Sequence, residues 1–166
     1  GVKGIDIILD SKEAIESCKM PFQEVGEDLN ELNGVNSYDP NDKIGPIGSG
    51  LSQYIVQEKA INYLIHFENV DTATAPSQKV CIIDTIDINV FDISTLEHGF
   101  IRIADTIIYC PAHLKAIHSF IDLRPKLNYV VKIESTLDNI TGILKWTFTT
   151  LDPETLMEVT DPLSGF

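Results

Sequence analysis

The sequence is poor in basic residues and has no long apolar run. Its 166 residues include 12 Lys and Arg against 25 Asp and Glu, which gives a net charge of −13. A surface of this sign repels phosphate backbones and anionic lipid headgroups, so we expect no nucleic-acid partner. The apolar runs are as short as "IIL" at residues 7–9. Because a membrane-spanning segment needs a much longer run, we expect no membrane insertion.

The signatures of common catalytic sites are also missing from the sequence. It contains no G-x-S-x-G elbow and no H-E-x-x-H pair, the spacings that place a nucleophile or a zinc ion. The stretch "GPIGSG" at residues 45–50 contains a proline and is not followed by Lys and Ser or Thr, so it does not predict a phosphate-binding loop. We therefore expect a protein that is not an enzyme. We also expect structural or solvent-facing histidines at His66, His98, His113 and His118.

Cysteine is scarce, and its three positions fit no metal-binding spacing. The odd number of Cys18, Cys81 and Cys110 leaves at least one thiol without an intrachain partner. Two alternatives stay open, a Cys81–Cys110 disulfide between neighbouring strands or small buried free thiols. The first residue is Gly1 and no leader pattern follows it, so we interpret the sequence as a mature piece or a fragment.

The sequence does contain repeated two-residue alternation of apolar and polar residues, which is typical of half-buried strands. Such runs are "AINYLIHFEN", "QKVCIID", "FIRIADTIIYC", "SFIDL", "LNYVVKIEST" and "GILKWTFTTL". Clusters of Asp, Asn, Gly and Pro separate them and leave little room for crossover helices. The pattern predicts an all-β fold, an antiparallel β-sandwich. Only "AHLKAI" has weak helical spacing.

The strand faces also predict a core. In the last run, Leu144, Trp146 and Phe148 share one face, because alternate residues of a strand point to the same side. The expected core is Ile61, Tyr63, Ile65, Phe67, Val80, Ile82, Val131, Ile133, Trp146 and Phe148.

The N-terminal third has a different character. "GIDIIL" at residues 4–9 predicts a short strand, Ser11 is a candidate N-cap of a short helix, and residues 24–35 form an acidic connector. We therefore divide the chain into an arm and linker at residues 1–35 and a β-sandwich module at residues 36–166. The stretch at residues 36–50 should be a shaped loop, because proline and glycine disfavour both helix and strand there.

Two groups of oxygen-bearing residues are candidates for a calcium site. They are Asp39, Asn41 and Asp42 in "DPND", and Asp84 and Asp87 in "DTIDIN". Carboxylate and amide oxygens at near-alternate spacing are what Ca²⁺ prefers, although neither group matches an EF-hand loop. The alternative is that these residues only cap turns through their side-chain oxygens.

Four separated blocks carry a resemblance to a known kind of domain. They are "NSYDPNDKIGPIG", "YLIHFENVDTATAPSQKVCIIDTID", "DLRPKLNYVVKIESTLDNITGILKWTFTTLDPET" and "DPLSGF". Together they resemble a repeat-like, immunoglobulin-like module of large secreted bacterial and archaeal surface proteins, which opens with S-[YW]-D-P-N-[DE]-K. The resemblance spans residues 36–166. It implies an extracellular or cell-surface location and a spacer, adhesive or assembly role, and it implies no catalytic site.

The sequence departs from that kind of module at its end. Modules of this type continue past "DPLSGF" into one more strand, and an absent strand would leave an open sheet edge. We hypothesise that Ile5, Ile7 and Leu9 fill such a place in a neighbouring copy or module, which would give head-to-tail filaments. The alternatives are that residues 4–9 fold back into their own sandwich or that the sequence simply stops early.

A second functional hypothesis is a calcium-assisted carbohydrate-binding module. In it, exposed Tyr54, Tyr109 or Tyr129 would stack on the sugar rings of a glycan beside the ion.

Overall fold

The computed structural model describes residues 5–11, 41–55, 60–69 and 73–166. In these ranges the regular structure consists of nine β-strands and a short 3-10 helix at Ile93–Thr95. The strands pair antiparallel. The all-β class with two antiparallel sheets, as expected for a β-sandwich, is confirmed. No helix in the described ranges is long and apolar enough to cross a membrane.

The chain divides into two compact units, each with its own sheet. The strands of the five-stranded unit are β1 Ile5–Ser11, β2 Asp42–Ile44, β3 Tyr63–Phe67, β5 Leu96–Ile103 and β6 Thr106–Tyr109. Those of the four-stranded unit are β4 Lys79–Thr85, β7 Ile117–Asp122, β8 Val130–Leu137 and β9 Ile143–Leu151. The five-stranded sheet has the order β2-β3-β1-β5-β6, and the four-stranded sheet has the order β4-β9-β8-β7.

The core of the four-stranded unit follows the predicted alternation. Leu144, Trp146 and Phe148 of β9 are fully buried, and the rings of Trp146 and Phe148 stack with centroids 6.2 Å apart. On the neighbouring strand Val131 and Ile133 are also fully buried. Of the ten predicted core residues, Ile65, Val80, Val131, Ile133, Trp146 and Phe148 are buried, whereas Ile61, Tyr63, Phe67 and Ile82 are half-buried.

Short turns join β8 to β9 and β5 to β6. The turn before β9 requires Gly142, which has a φ of 73° and lies so close to the Ile86 carbonyl that a Cβ atom would be 2.1 Å from the oxygen. The β5–β6 hairpin turns at Ala104 with a φ of 51°.

The structure corrects several local predictions. The weak helical spacing of "AHLKAI" does not produce a helix, since residues 112–116 form turns and bends before β7. Within the predicted loop at residues 36–50, Asp42–Ile44 forms a three-residue strand. Cys81 and Cys110 do not form the disulfide that was one of the alternatives, and Cys81 is exposed rather than buried. The predicted helix after Ser11 and Cys18 lie outside the described residues.

Candidate strand-insertion site

The N-terminal strand β1 occupies a central position in the five-stranded sheet. It pairs antiparallel with β3 on one side and with β5 on the other. We call the place between these two strands, lined by Tyr63–Phe67 and Leu96–Ile103, the β1 slot. The structure thus pairs the segment within the same chain, which is one of the alternatives that the sequence left open. Whether a neighbouring copy can supply the same strand stays a prediction.

The slot places the three predicted self-association residues on one face of the sheet. Residues directly opposite on paired strands share a face. Ile5, Ile7 and Leu9 are opposite Ile103, Ile101 and His98 of β5, and opposite Phe67, Ile65 and Tyr63 of β3. On β5 these facing residues are buried, with exposed fractions of 0%, 1% and 1%. The predicted apolar residues of the arm therefore lie in register with a buried face.

A β-bulge shapes the β5 wall of the slot. The register with β1 shifts between Ile7 and Leu9, so that Gly99 and Phe100 together lie opposite Ile8. Two residues opposite one is the definition of a bulge, and it bends and twists the bulged strand. The Phe100 side chain packs with Leu64 of β3 in a small buried cluster with Ile44 and Ile107. The register position of Ile8 lies between the strands that carry Leu64 and Phe100.

A row of charged and titratable positions crosses the sheet near the start of β1. Asp6 lies directly opposite His66 of β3 and directly opposite Arg102 of β5. His66 in turn lies opposite Asp42 of β2, and its Nε2 atom is 4.0 Å from a carboxylate oxygen of Glu68. Opposite charges at directly facing positions stabilise a strand pair. The row therefore favours an acid at position 6 of the inserted strand.

The other end of β1 lies beside a buried carboxylate. Asp10 is opposite Glu97 of β5, and the Glu97 residue is only 5% exposed. The Oε1 atom of Glu97 lies 2.8 Å from Nδ1 of His113, whose side chain is 73% exposed. The second oxygen, Oε2, is buried and accepts no hydrogen bond from the described residues. A buried carboxylate is costly without a partner, so His113 compensates Glu97 at this end of the slot.

His113 reaches Glu97 from an unusual backbone conformation. Its φ is 67°, in the left-handed region that most residues avoid and that His, Asn and Asp tolerate better. It lies in the turn that follows β6. Sequence reasoning treated the histidines singly and did not connect His113 with Glu97, because the contact depends on the path of that turn.

The predicted calcium residues do not form one cluster. Asp39 lies outside the described residues, and the exposed Asn41 precedes β2. Asp42 lies in the five-stranded unit, where its Oδ1 accepts the backbone N–H of Lys43 at 2.7 Å. Asp84 and Asp87 lie in the four-stranded unit. No three His, Cys, Asp or Glu side chains among the described residues are placed to hold a metal ion. Calcium binding stays a prediction.

Asp87 caps a turn through its side-chain oxygen, which was the alternative to calcium binding. Its Oδ1 accepts the backbone N–H of Asn89 at 2.9 Å and the side-chain amide of the same residue at 3.1 Å. Six aspartates of the four-stranded unit accept the backbone N–H two residues further along, and they are Asp87, Asp92, Asp122, Asp138, Asp152 and Asp161. Each of these contacts closes an Asx turn. These six carboxylates therefore have a structural use.

Hydrogen bonds to three of these carboxylates lower their pKa values. The pKa of Asp122 falls to about 2, chiefly because its carboxylate accepts hydrogen bonds from the Arg124 side chain. The pKa of Asp138 is lowered mainly by the Thr141 hydroxyl, and that of Asp152 mainly by the Thr155 backbone N–H. Donors of this kind stabilise the ionised form.

The three candidate sugar-stacking tyrosines differ in exposure. Tyr54 is 75% exposed and closes a turn by bridging to Ser49. Tyr109 is partly covered by Phe100, with ring centroids 6.3 Å apart. Tyr129 is half-buried and lies in the other unit.

Comparisons with known proteins give one match. No curated protein and no solved structure matches the chain. A family profile, described as a domain of unknown function, DUF7619, matches residues 39–144. The matched range includes both walls of the slot, β3 and β5, and begins after β1. Since the match covers more than half of the sequence, the chain belongs to the DUF7619 family.

Proposed function

We propose that the chain is a non-catalytic extracellular module that associates with other copies of itself, with β1 of one copy filling the β1 slot of the next. The observation that carries the proposal is the central position of β1, which is paired on both sides. A central strand satisfies the backbone groups of two neighbours, so the five-stranded sheet is incomplete without it. Whichever copy supplies β1 completes the sheet in the same way.

The spacing of β1 from its neighbours in the sequence supports exchange between copies. Residues 12–41 separate β1 from β2, and an extended chain of about 30 residues spans up to about 100 Å. That reach exceeds the size of a small domain. By contrast, β5 and β6 are joined by only Ala104 and Asp105, so these two strands must pair within one copy.

Insertion into a neighbour would be a head-to-tail contact. Such contacts use two different surfaces, and they form filaments when they do not close into a ring. Main-chain hydrogen bonds would supply affinity, and the alternate side chains of β1 would supply specificity. The resemblance to modules of secreted surface proteins supports an extracellular structural or adhesive role.

Competition by a peptide tests the proposal on the intact chain. The mean particle mass, measured by light scattering, should rise with protein concentration in steps of the 18.4 kDa chain. An excess of a peptide with the sequence of residues 4–11 should lower that mass by occupying the slots, and a scrambled peptide should not. Particles of 18.4 kDa at every concentration, or oligomers indifferent to the matching peptide, would contradict the proposal.

The exposure of Tyr54 favours a second candidate, a calcium-assisted carbohydrate-binding module. A ring that is 75% exposed on a closed turn could stack on a sugar. Glycan binding that is lost in Tyr54→Ala, with the particle mass unchanged, would favour this candidate. A calcium titration alone does not separate the two, because both can use the ion.

A further inference from the structure

We infer that the charge at position 6 decides which strand binds in the β1 slot and in which register. Arg102 of β5 and His66 of β3 lie opposite this position and favour an acidic residue there. The inference names what the slot accepts, an extended segment with an acid at this position and apolar residues after it. Its application to a second copy rests on the proposed function. The geometry of the row applies to whichever copy supplies the strand.

Apolar packing excludes only part of the alternative registers. A shift of one residue would move Ile5, Ile7 and Leu9 to the opposite face of the sheet, because strand side chains alternate. A shift of two residues keeps them on the same face, and "DIIL" offers apolar residues at consecutive positions. Some other feature must therefore distinguish registers that differ by two.

The charged row makes that distinction. In the observed register Asp6 is opposite His66. A shift of two residues along β3 would place it opposite either Glu68 or Leu64, since the positions on β3 also change by two. The first alternative sets like charges against each other, and the second places an acid opposite a buried leucine. Both are unfavourable.

On the β5 side of the slot, registers shifted by two residues also lose the favourable pairing of Asp6. Asp6 is opposite Arg102 in the observed register. Arg102 is half-buried and is flanked along β5 by the fully buried Ile101 and Ile103. A shift of two residues would move Asp6 toward Phe100 or toward Ala104 at the hairpin turn. The cationic position near the end of β5 thus matches one register.

The opposite end of the slot cannot supply this selection. There Asp10 is opposite Glu97, and like charges at facing positions oppose pairing. The contact of His113 with Glu97 reduces that conflict. Attraction at position 6 is therefore the charge pairing that favours the observed register.

A double-mutant cycle on the intact chain tests the inference. Asp6→Arg and Arg102→Asp should each lower the midpoint of thermal unfolding by about 2–4 °C, because each sets like charges opposite each other. The combined variant should recover most of the loss. As a matched control, Lys145→Asp changes an exposed cation of β9, and its effect should add to that of Asp6→Arg. Additive losses in the combined Asp6→Arg/Arg102→Asp variant would overturn the inference.

Milder substitutions keep the test decisive if a reversed variant fails to fold. Asp6→Asn removes the negative charge opposite Arg102. Arg102→Gln should then lower the midpoint of thermal unfolding less than it does in the original chain. An equal effect of Arg102→Gln in both backgrounds would also overturn the inference.

Mixing the two singly reversed variants separates this inference from the proposed function. If copies exchange β1, the arginine introduced by Asp6→Arg in one variant meets the aspartate introduced by Arg102→Asp in the other, and the two original residues meet in the reciprocal exchange. The mixture should then unfold at a higher temperature than either variant alone. If the unfolding midpoint recovers in the combined variant but not on mixing, the result supports selection by the charge at position 6 and contradicts exchange between copies.

Discussion

The two units are both antiparallel sheets, yet a strand that is remote in sequence lies at the edge of one sheet and inside the other. In the four-stranded unit β7, β8 and β9 are consecutive strands and direct neighbours, and the remote strand β4 pairs only with β9, at the edge of the sheet. In the five-stranded unit β1 lies between β3 and β5, and both are remote from it in sequence. Strands joined by short turns specify their own pairing, whereas a remote strand must be recognised by the sheet. Only β1 is remote and paired on both sides, which is why the proposed exchange between copies concerns β1 and not β4.

Deleting residues 1–11 should have the largest effect, and it should be confined at first to one unit. The deletion removes a central strand, so amides of β3 and β5 should lose protection in hydrogen exchange, while β8 and β9 should keep it. The shortened chain should aggregate irregularly or bind the missing segment as a free peptide. If it stays soluble, monomeric and as stable as the intact chain, β1 has no part in the fold.

Truncating the central side chain of the four-stranded unit should be the next largest effect. Trp146 is fully buried and stacks on Phe148, so Trp146→Ala should lower the free energy of unfolding by about 3–5 kcal/mol. Ile83→Ala is a control on the same sheet, because Ile83 is 63% exposed and its loss should change little. Denaturant unfolding measures both. A nearly neutral Trp146→Ala would show that this face is not the core.

Removing the partner of the buried carboxylate should have a moderate effect on the five-stranded unit. His113→Asn keeps a residue that tolerates the left-handed conformation but is too short to reach Glu97, so it should cost about 1–3 kcal/mol. His118→Asn is the matched control, since His118 is also exposed and lies 3.9 Å from a glutamate, Glu134, that is only partly buried. Equal losses in the two variants would show that burial of Glu97 has no special cost.

Calcium should have a smaller effect, if the predicted residues bind it. An ion that binds only the folded state raises stability by about 1.4 kcal/mol at roughly ten times its dissociation constant. The melting temperature should therefore rise between excess chelator and millimolar calcium. Asp87→Asn should reduce the rise if Asp87 is a ligand. An unchanged melting temperature would remove the calcium hypothesis for both groups of residues.

Acid should produce the smallest and most gradual loss, and it should act on the four-stranded unit. Asp122 has a folded pKa of about 2 against an ordinary value of 3.8, and the pKa values of Asp138 and Asp152 are also lowered. A lowered folded pKa gives stability that is present above pH 3.8 and is lost as the pH falls toward 2. Asp122→Asn should flatten the pH dependence of unfolding in that window. An unaltered profile would contradict the assignment.

The contrast between the units also explains which parts of the fold were predictable. The alternation in "GILKWTFTTL" predicted a strand and the buried face of Trp146 and Phe148, because one side of β9 faces a core and the other is more polar. The start of β5 gave no such signal, since Leu96, Glu97 and His98 are buried in succession. The strand β2 was missed because prolines and glycines dominate its surroundings.

The candidate site was predictable only in part. The apolar alternation of Ile5, Ile7 and Leu9 predicted that β1 is a strand whose apolar face packs on a sheet. The pairing of Asp6 with Arg102 and His66 could not be seen, since it depends on the registers of two strands that are distant in sequence. The capping role of Asp87 was one of two stated alternatives, because the same residue types serve turns and calcium sites.

Exchange of β1 between copies can be tested directly with a disulfide that links two copies. Ile7 and Ile65 face each other in the slot, and Cβ atoms of facing residues come close enough for a disulfide. One protein carries Ile7→Cys and the other Ile65→Cys, both with Cys18→Ser and Cys81→Ser. Replacing Ile65→Cys by Ile83→Cys, on an exposed position of the other sheet, is the control for random cross-linking.

If β1 exchanges between copies, oxidising the mixture should link the Ile7→Cys protein to the Ile65→Cys protein in a dimer that the Ile83→Cys control does not form. The link should form at the concentrations at which light scattering detects assembly. If a single chain carrying both Ile7→Cys and Ile65→Cys closes its disulfide completely, and the mixed proteins never cross-link, β1 fills only its own slot and the claim of exchange between copies is wrong.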